Sequence, residues 1–347
     1  MNILFCSVPF HPSVGGIETV SALLAERFHR SGHRVVLVTQ TATDVPDTEA
    51  FEVVRQPSAL RLVALVRWAE VVFHNNISLR FAWPLLLRRR PWVVAHHTWI
   101  PSSGLAARLK QWVLPKARHI AVSQVVADSL AVPCAVVPNP YADDVFVRID
   151  GLARERELVF VGRLVSDKGV DLLIESLALL ARRGRHLRLT VVGDGPEGAA
   201  LRRQAQALNV ADRIDFVGRR VGRELVALLN SHQVLVVPSV WEEPFGVVVL
   251  EALACGCVPL VTRSGGLPEA VGACGVVLPP SDRGALAGTL SEGIAALLGD
   301  PETLDHHQQQ AAPHLERHTR DRVARDYLQV ITDACRTAAT PSAARAV

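Results

Sequence analysis

The stretch "LVFVGRLVSDKGVDLLIESLALLARRG", residues 158–184, decides the architecture. Its first five residues form a short apolar strand. "RLVSDKG" is a polar loop closed by a glycine. "VDLLIESLALLARRG" then carries leucine and isoleucine at helical spacing and stops at Gly184. The next apolar run, "LRLTVVG" at 187–193, is a second strand. Strand, loop, helix, strand is a βαβ unit, and such a unit needs parallel strands.

The chain opens on the same pattern. "NILFCSV" at 2–8 is a strand, "PFHPSVGG" at 9–16 a glycine loop, "IETVSALLAERFHRSG" at 17–32 a helix and "HRVVLVTQ" at 33–40 a strand. The restart near residue 158 predicts an α/β protein of two doubly wound, Rossmann-like domains facing each other across a cleft. The boundaries expected are 1–150 and 151–318, joined by the polar piece "VRIDGLARERE" at 147–157. A helix at 319–336, with Val323, Tyr327, Leu328 and Ile331 at helical spacing, is expected to pack back toward the first domain. Residues 337–347 are expected to be disordered. In open parallel sheets ligands collect at the carboxyl ends of the strands, and between domains they collect in the cleft.

A length of 347 residues suits two domains with their own cores. The net charge of +3 is too small to imply nucleic acid as a partner. It is unevenly spread, however. Between Arg55 and Arg118 eleven arginines and lysines face a single acid, Glu70, with Trp68, Trp83, Trp92, Trp99 and Trp112 among them. That stretch reads either as an ordinary solvated surface or as a face resting on anionic lipid. No single-strand recognition motif accompanies it. The six cysteines have neither zinc nor disulfide spacing, and Cys255 and Cys257, flanking Gly256, are expected to fill small buried volumes. The start "MNILFCSVPF" does not read as a signal peptide, and no apolar run is long enough to span a bilayer. The expectation is a cytoplasmic protein, with a peripheral position on the inner face of the cell membrane as the variant that the basic stretch allows.

"EEPFGVVVLEALACG", residues 242–256, sets Glu243 before a helix and Glu251 inside it. A helix start offers free N–H groups to an anion such as phosphate. Carboxylates beside it would repel phosphate and better suit sugar hydroxyls. Read alone, Glu243 also fits a helix cap and Glu251 a buried ion pair. "VGRLVSDKG" places Arg163 and Lys168 at a strand's carboxyl end, where two cations can neutralise a leaving diphosphate. The chain contains no Asp-x-Asp, so no metal is expected in that role.

In order, "GGIE" (15–18), "VGRLVSDKG" (161–169), "VVGDGP" (191–196), "FVG" (216–218), "EEPFGVVVLEALACGCVPLVT" (242–262) and "GGLPE" (265–269) resemble the retaining glycosyltransferases of family 4. The resemblance runs from residue 1 to about residue 330. It implies the glycosyltransferase-B fold, a nucleoside-diphosphate sugar as co-substrate, no cofactor and no metal. It also implies roles. Arg163 and Lys168 would bind the diphosphate, Glu251 the ribose hydroxyls, and Glu243 the donor sugar near the reaction centre. Phe245, Gly246 and Val247 would present backbone N–H groups, Val217 and Gly218 would lie by the base, and Gly15 and Gly16 would let backbone approach the phosphates. His97 in "VVAHHTWI" aligns with the family's active-site histidine better than His96 does, although two histidines could also just fill the wall of the cleft. "NPYAD" at 139–143 departs from the family's Asn-Gly-Val-Asp, so only Asn139 is kept as a cleft residue. First domains of this fold bind the acceptor, and the basic, tryptophan-rich first half suits a lipid-linked or polysaccharide glycan of the cell envelope, with a small soluble acceptor as the alternative. Alternatives are a nucleotide-sugar epimerase, a non-catalytic sugar-binding protein and, from the Gly-x-Gly-x-x-Gly "GDGPEG" at 193–198, an NAD-dependent oxidoreductase.

Overall fold

The structure, a computed structural model, describes residues 1–13 and 15–339. It divides into two compact units: Met1–Pro140 together with the segment from Thr319, and Tyr141–His318.

In the first unit β1 (Asn2–Ser7), β2 (Arg34–Thr39), β3 (Glu52–Arg55), β4 (Val71–Asn75), β5 (Trp92–His96), β6 (Arg118–Ala121) and β7 (Cys134–Val136) form one sheet in the order β3-β2-β1-β4-β5-β6-β7. Every pairing is parallel. A parallel sheet is covered on both faces, so its strands read as unbroken apolar runs. Side chains alternate sides, and β1 shows the result. Leu4 and Cys6 join one core with Val36, Leu65 and Val94. Phe5 faces the other way, with Phe73 at 4.8 Å; Phe28 and Tyr327 each lie 5.9 Å from Phe73. Phe28 comes from the helix Gly16–Arg30 and Tyr327 from Arg320–Ala339, and these two helices pack together.

The second unit repeats the plan with β8 (Arg156–Val161), β9 (Leu189–Val192), β10 (Ile214–Gly218), β11 (His232–Val237), β12 (Val258–Val261) and β13 (Val276–Val277), in the order β10-β9-β8-β11-β12-β13, all parallel. The opening stretch becomes β8, a loop with a turn of 3-10 helix at Ser166–Lys168, and the helix Val170–Arg182. Leu158 and Phe160 of β8 share a core with Leu173, Leu177, Val234 and Leu260.

Two expectations need correction. The second unit begins at Tyr141 and not at 151, so the piece expected to join the domains, 147–157, lies inside it. Arg154 donates to the carbonyls of Leu229, His232 and Cys255, and Asn230 bonds the backbone of Val147 and Ile149, so the segment is sewn onto the second unit ahead of β8. Residues 337–339 finish the helix Arg320–Ala339 instead of starting a disordered tail; the rest of that expectation lies outside the described residues. All six cysteines are free, with Cys255 and Cys257 fully buried. No helix among the described residues is long and apolar enough to cross a membrane.

Candidate functional site

Sheet order explains what comes together in the second unit. Its strand order reverses between β8 and β11, the kind of switch point at which ligands collect in open parallel sheets. The loop after β8 carries Arg163 and Lys168; the loop after β11 carries Glu243. Lys168 Nζ donates to Glu243 Oε1 in a part-buried ion pair, and Ser239 Oγ donates to the same oxygen at 2.7 Å. Close backbone packing fixes both loops. Val240 N–H donates to the Asp167 carbonyl at 2.9 Å, and Gly266 N–H to the Glu243 carbonyl at 2.6 Å. A Cβ on Gly169 would overlap the Pro238 carbonyl. Arg163 is exposed, and its guanidinium has no hydrogen bond or ion pair among the described residues.

The helix after this loop spans Val247–Ala254, with Gly246 as N-cap at φ +105. Glu243 therefore does not cap it, and Glu251 has no ion pair; the two bland readings are reversed. Phe245 is buried with its ring 5.6 Å from that of His318. The N–H groups of Phe245, Gly246 and Val247 find no acceptor among the described residues, which leaves a positive helix start open to an anion. Glu251 sits one turn in. Its residue keeps some solvent access, yet its carboxyl is deep enough that burial pushes its pKa up to about 7, and it has no hydrogen-bond or ion-pair partner among the described residues. An unpartnered half-buried carboxyl is ready to accept from hydroxyl groups.

At the other sheet edge, β10 changes register between Phe216 and Gly218, so Val217 is bulged out of the ladder. Gly218, at φ +71, accepts from Gly193 N–H at 3.0 Å, and Asp194 accepts from Arg219 N–H at 3.1 Å. The first two glycines of "GDGPEG" have a packing reason: a Cβ on Gly193 would overlap the Gly162 carbonyl, and one on Gly195 the Leu164 carbonyl. They hold the Arg163 loop in place, a packing role that accounts for these two glycines without a dinucleotide.

The first unit has its own reversal, between β1 and β4. Gly15 is the N-cap of the helix Gly16–Arg30 in an extended conformation, and the space where a Cβ of Gly16 would stand is empty of protein atoms. Below the loop Ser13 Oγ donates to the buried Glu18 carboxylate at 2.8 Å. His97 follows β5. Its backbone N–H donates to Asn76 Oδ1 at 2.7 Å, and its Nδ1 lies 2.9 Å from Asn139 Oδ1. An amide oxygen only accepts, so Nδ1 carries the proton and Nε2 is a bare acceptor. Nε2 is buried with no partner among the described residues, and burial pushes the His97 pKa down to about 4. His96 is spent otherwise: its Nε2 is 3.0 Å from His119 Nδ1, and His119 Nε2 donates to the Leu114 carbonyl. Asn76 and Ser239 were missed in the sequence. Asn76 does leave a signal, since an asparagine just after a strand tolerates the left-handed backbone it adopts, φ +69. Ser239 leaves none.

Residues 14–144 match the family described as Glycosyltransferase Family 4, and residues 148–314 that described as Glycosyl transferases group 1. A glycogen synthase of Mycobacterium tuberculosis is 40% identical over 174 residues, 49% of this chain and 39% of that protein. The chain spans less than half the length of the curated relatives it matches. Among solved structures, a sucrose-phosphate synthase from Thermosynechococcus elongatus superposes with TM-score 0.80 at 22% identity, over 98% of this chain and 100% of that one. Anabaena HepE in complex with UDP-glucose gives 0.79 at 19% identity, over 96% and 100%. At such identities the likeness is one of fold, the glycosyltransferase-B type. The two family matches divide the chain as its two sheets do, and the chain belongs to the glycosyltransferases of group 1 and family 4.

Proposed function

We propose that this chain moves a sugar from a nucleoside diphosphate to an acceptor hydroxyl with retention at the anomeric carbon. The observation that carries the proposal is the grouping at the second unit's switch point: Lys168 on Glu243, beside open N–H groups and an unpartnered carboxyl on the same helix. A diphosphate drawing Lys168 to itself would release Glu243 for a sugar hydroxyl. The two groups now neutralise each other and would separate to serve opposite ends of one ligand. Arg163 would take the outer phosphate oxygens and Glu251 the ribose hydroxyls.

In the reaction the bond from the anomeric carbon to the diphosphate breaks and a bond to the acceptor oxygen forms on the same face. The acceptor's proton passes to a departing phosphate oxygen. Charge growing on the diphosphate meets cations and N–H groups already in place, and such preorganisation is a large term in catalysis. His97, neutral at pH 7, would offer its bare Nε2 as a hydrogen-bond acceptor to a substrate hydroxyl. With Arg163 and Lys168 in this role the reaction proceeds without a divalent ion. The acceptor proposed is a lipid-linked or polysaccharide glycan.

The test is a thermal-shift panel of UDP-, GDP- and ADP-sugars, followed by product analysis with a chelator present. The UDP-glucose complex of HepE makes uridine the first base to try. A donor that stabilises the protein and is cleaved to free sugar and nucleoside diphosphate supports the reading, and the anomeric configuration of the bond formed to the acceptor decides retention. Stabilisation by none of the donors would refute it. Interconversion of donor sugars without acceptor would indicate an epimerase instead.

A further inference from the structure

The helix Leu105–Val113 is amphipathic on two sides. Ala107 and Val113 face inward and are buried. Leu105, Leu109 and Trp112 follow at steps of four and three, which puts them on one stripe, and they are 74%, 43% and 58% exposed. Single exposed leucines mean little, but a stripe of three large apolar side chains on one helix marks an interaction surface. The neighbouring helix Leu79–Ala82 packs against it, and the segment runs directly on into Pro84–Leu87, whose Leu86 and Leu87 are exposed as well.

Charge selects the partner. From Val71 to Ala127 the sequence holds no acid and eight arginines and lysines. Arg55 and Arg61, earlier in the basic stretch, are neutralised by Asp47 and Glu52. Arg88, Arg89 and Arg108 are exposed and carry no ion pair among the described residues. Lys110 is half-buried, and its charge helps to lower the His96 pKa. Lys116 lies 3.6 Å over the Trp112 ring and also donates to the Trp112 carbonyl, so a cation and an indole end the stripe together. An apolar stripe ending in a tryptophan, with unpaired cations on its own helix and after the neighbouring Pro84–Leu87 segment, fits the boundary between headgroups and acyl chains.

We propose that the first unit docks on an anionic phospholipid bilayer through Leu105, Leu109 and Trp112, with Arg88, Arg89, Arg108 and Lys116 on the headgroups. The docking needs no sugar donor and is independent of the transfer reaction.

The test is co-sedimentation of the full chain with phosphatidylcholine vesicles, with and without phosphatidylglycerol, across a salt series. Binding is expected only with phosphatidylglycerol, weakening with salt. Each of Arg108→Gln and Lys116→Gln should weaken it about fivefold. Leu105→Ser/Leu109→Ser should abolish it while circular dichroism and the melting temperature stay as in the parent. Brominated acyl chains should quench the parent's fluorescence more than that of Trp112→Phe. Absent or salt-insensitive binding overturns the proposal, as does equal quenching of the parent and Trp112→Phe. A parent dimer that the two serines convert to monomer, with no vesicle binding, would assign the stripe to a second copy instead and equally overturn it.

Discussion

Glu251 is in conflict with its surroundings, and the conflict can be measured. Burial holds its pKa near 7, above the 4.5 of a free glutamate. The native chain therefore keeps a proton that the unfolded chain has released. Stability falls as pH rises from about 4.5 to 7, and above that the full penalty stands, on the order of 3 kcal/mol. Glu251→Gln should raise the melting temperature at about pH 8 and leave it unchanged at about pH 5, while weakening donor binding. Equal gains at both pH values would show that the carboxyl is not protonated by burial. His97 has the opposite sign. Its pKa is depressed from 6.5 to about 4, so stability is lost as pH falls through that range. Asn139→Asp would set a carboxylate beside Nδ1 and lift the His97 pKa back toward or above its ordinary value. Turnover should then fall, with its pH optimum moved upward, because Nε2 no longer accepts at neutral pH. An NMR titration of the imidazole checks the cause, and an unmoved pKa would remove Asn139 as the group that sets the tautomer.

At the scale of elements, the helix start at Gly246 depends on a backbone that only glycine adopts easily. Its φ is +105, and a Cβ there would stand 2.6 Å from Leu267 Cδ2. Gly246→Ala should cost about 1–3 kcal/mol of stability and most of the donor affinity, read by denaturant melts and donor titration. Lys168→Ala leaves Glu243 part-buried without its cation. We expect a loss of about 1–3 kcal/mol in stability, since breaking a wholly buried pair costs more. Glu243→Ala on that background should restore part of it, and Glu243→Ala by itself should lower turnover more than donor affinity. Additive stability effects in that cycle would mean the pair is not coupled. The elements themselves were legible, because β8, its loop and its helix follow periodicity in a continuous stretch. The pairing of Lys168 with Glu243 was not. It joins residues far apart in the chain, and it follows from β8 and β11 being neighbours, a matter of sheet order that no periodicity reports. Segment 147–157 misled for a related reason. Its polar composition suggested a joining piece between domains, whereas Arg154 is polar because three carbonyls at the ends of other elements need a donor.

At the scale of the whole molecule, each unit has a core of its own, and the chain returns to the first core through its last helix. The repeat of strand, loop and helix announced two domains, and the spacing of Val323, Tyr327 and Ile331 announced the helix. The burden on Tyr327 was invisible, because it depends on Phe73 and the helix Gly16–Arg30, both remote in sequence. Tyr327 is fully buried, and its hydroxyl has no partner among the described residues. Its ring packs edge-on to Phe73, so Tyr327→Ala should cost about 3–5 kcal/mol. Tyr327→Phe keeps the ring and removes a hydroxyl that lost its water for nothing, so it should stabilise by about 1–3 kcal/mol. Both changes should act on the first unit's melting transition. The second unit's transition, marked by its response to donor, should stay where it is, because its core has no residue from the last helix. If Tyr327→Ala instead moved both transitions together, the two cores would melt as one cooperative block, and the stability of the donor site would depend on a helix that belongs to the other unit.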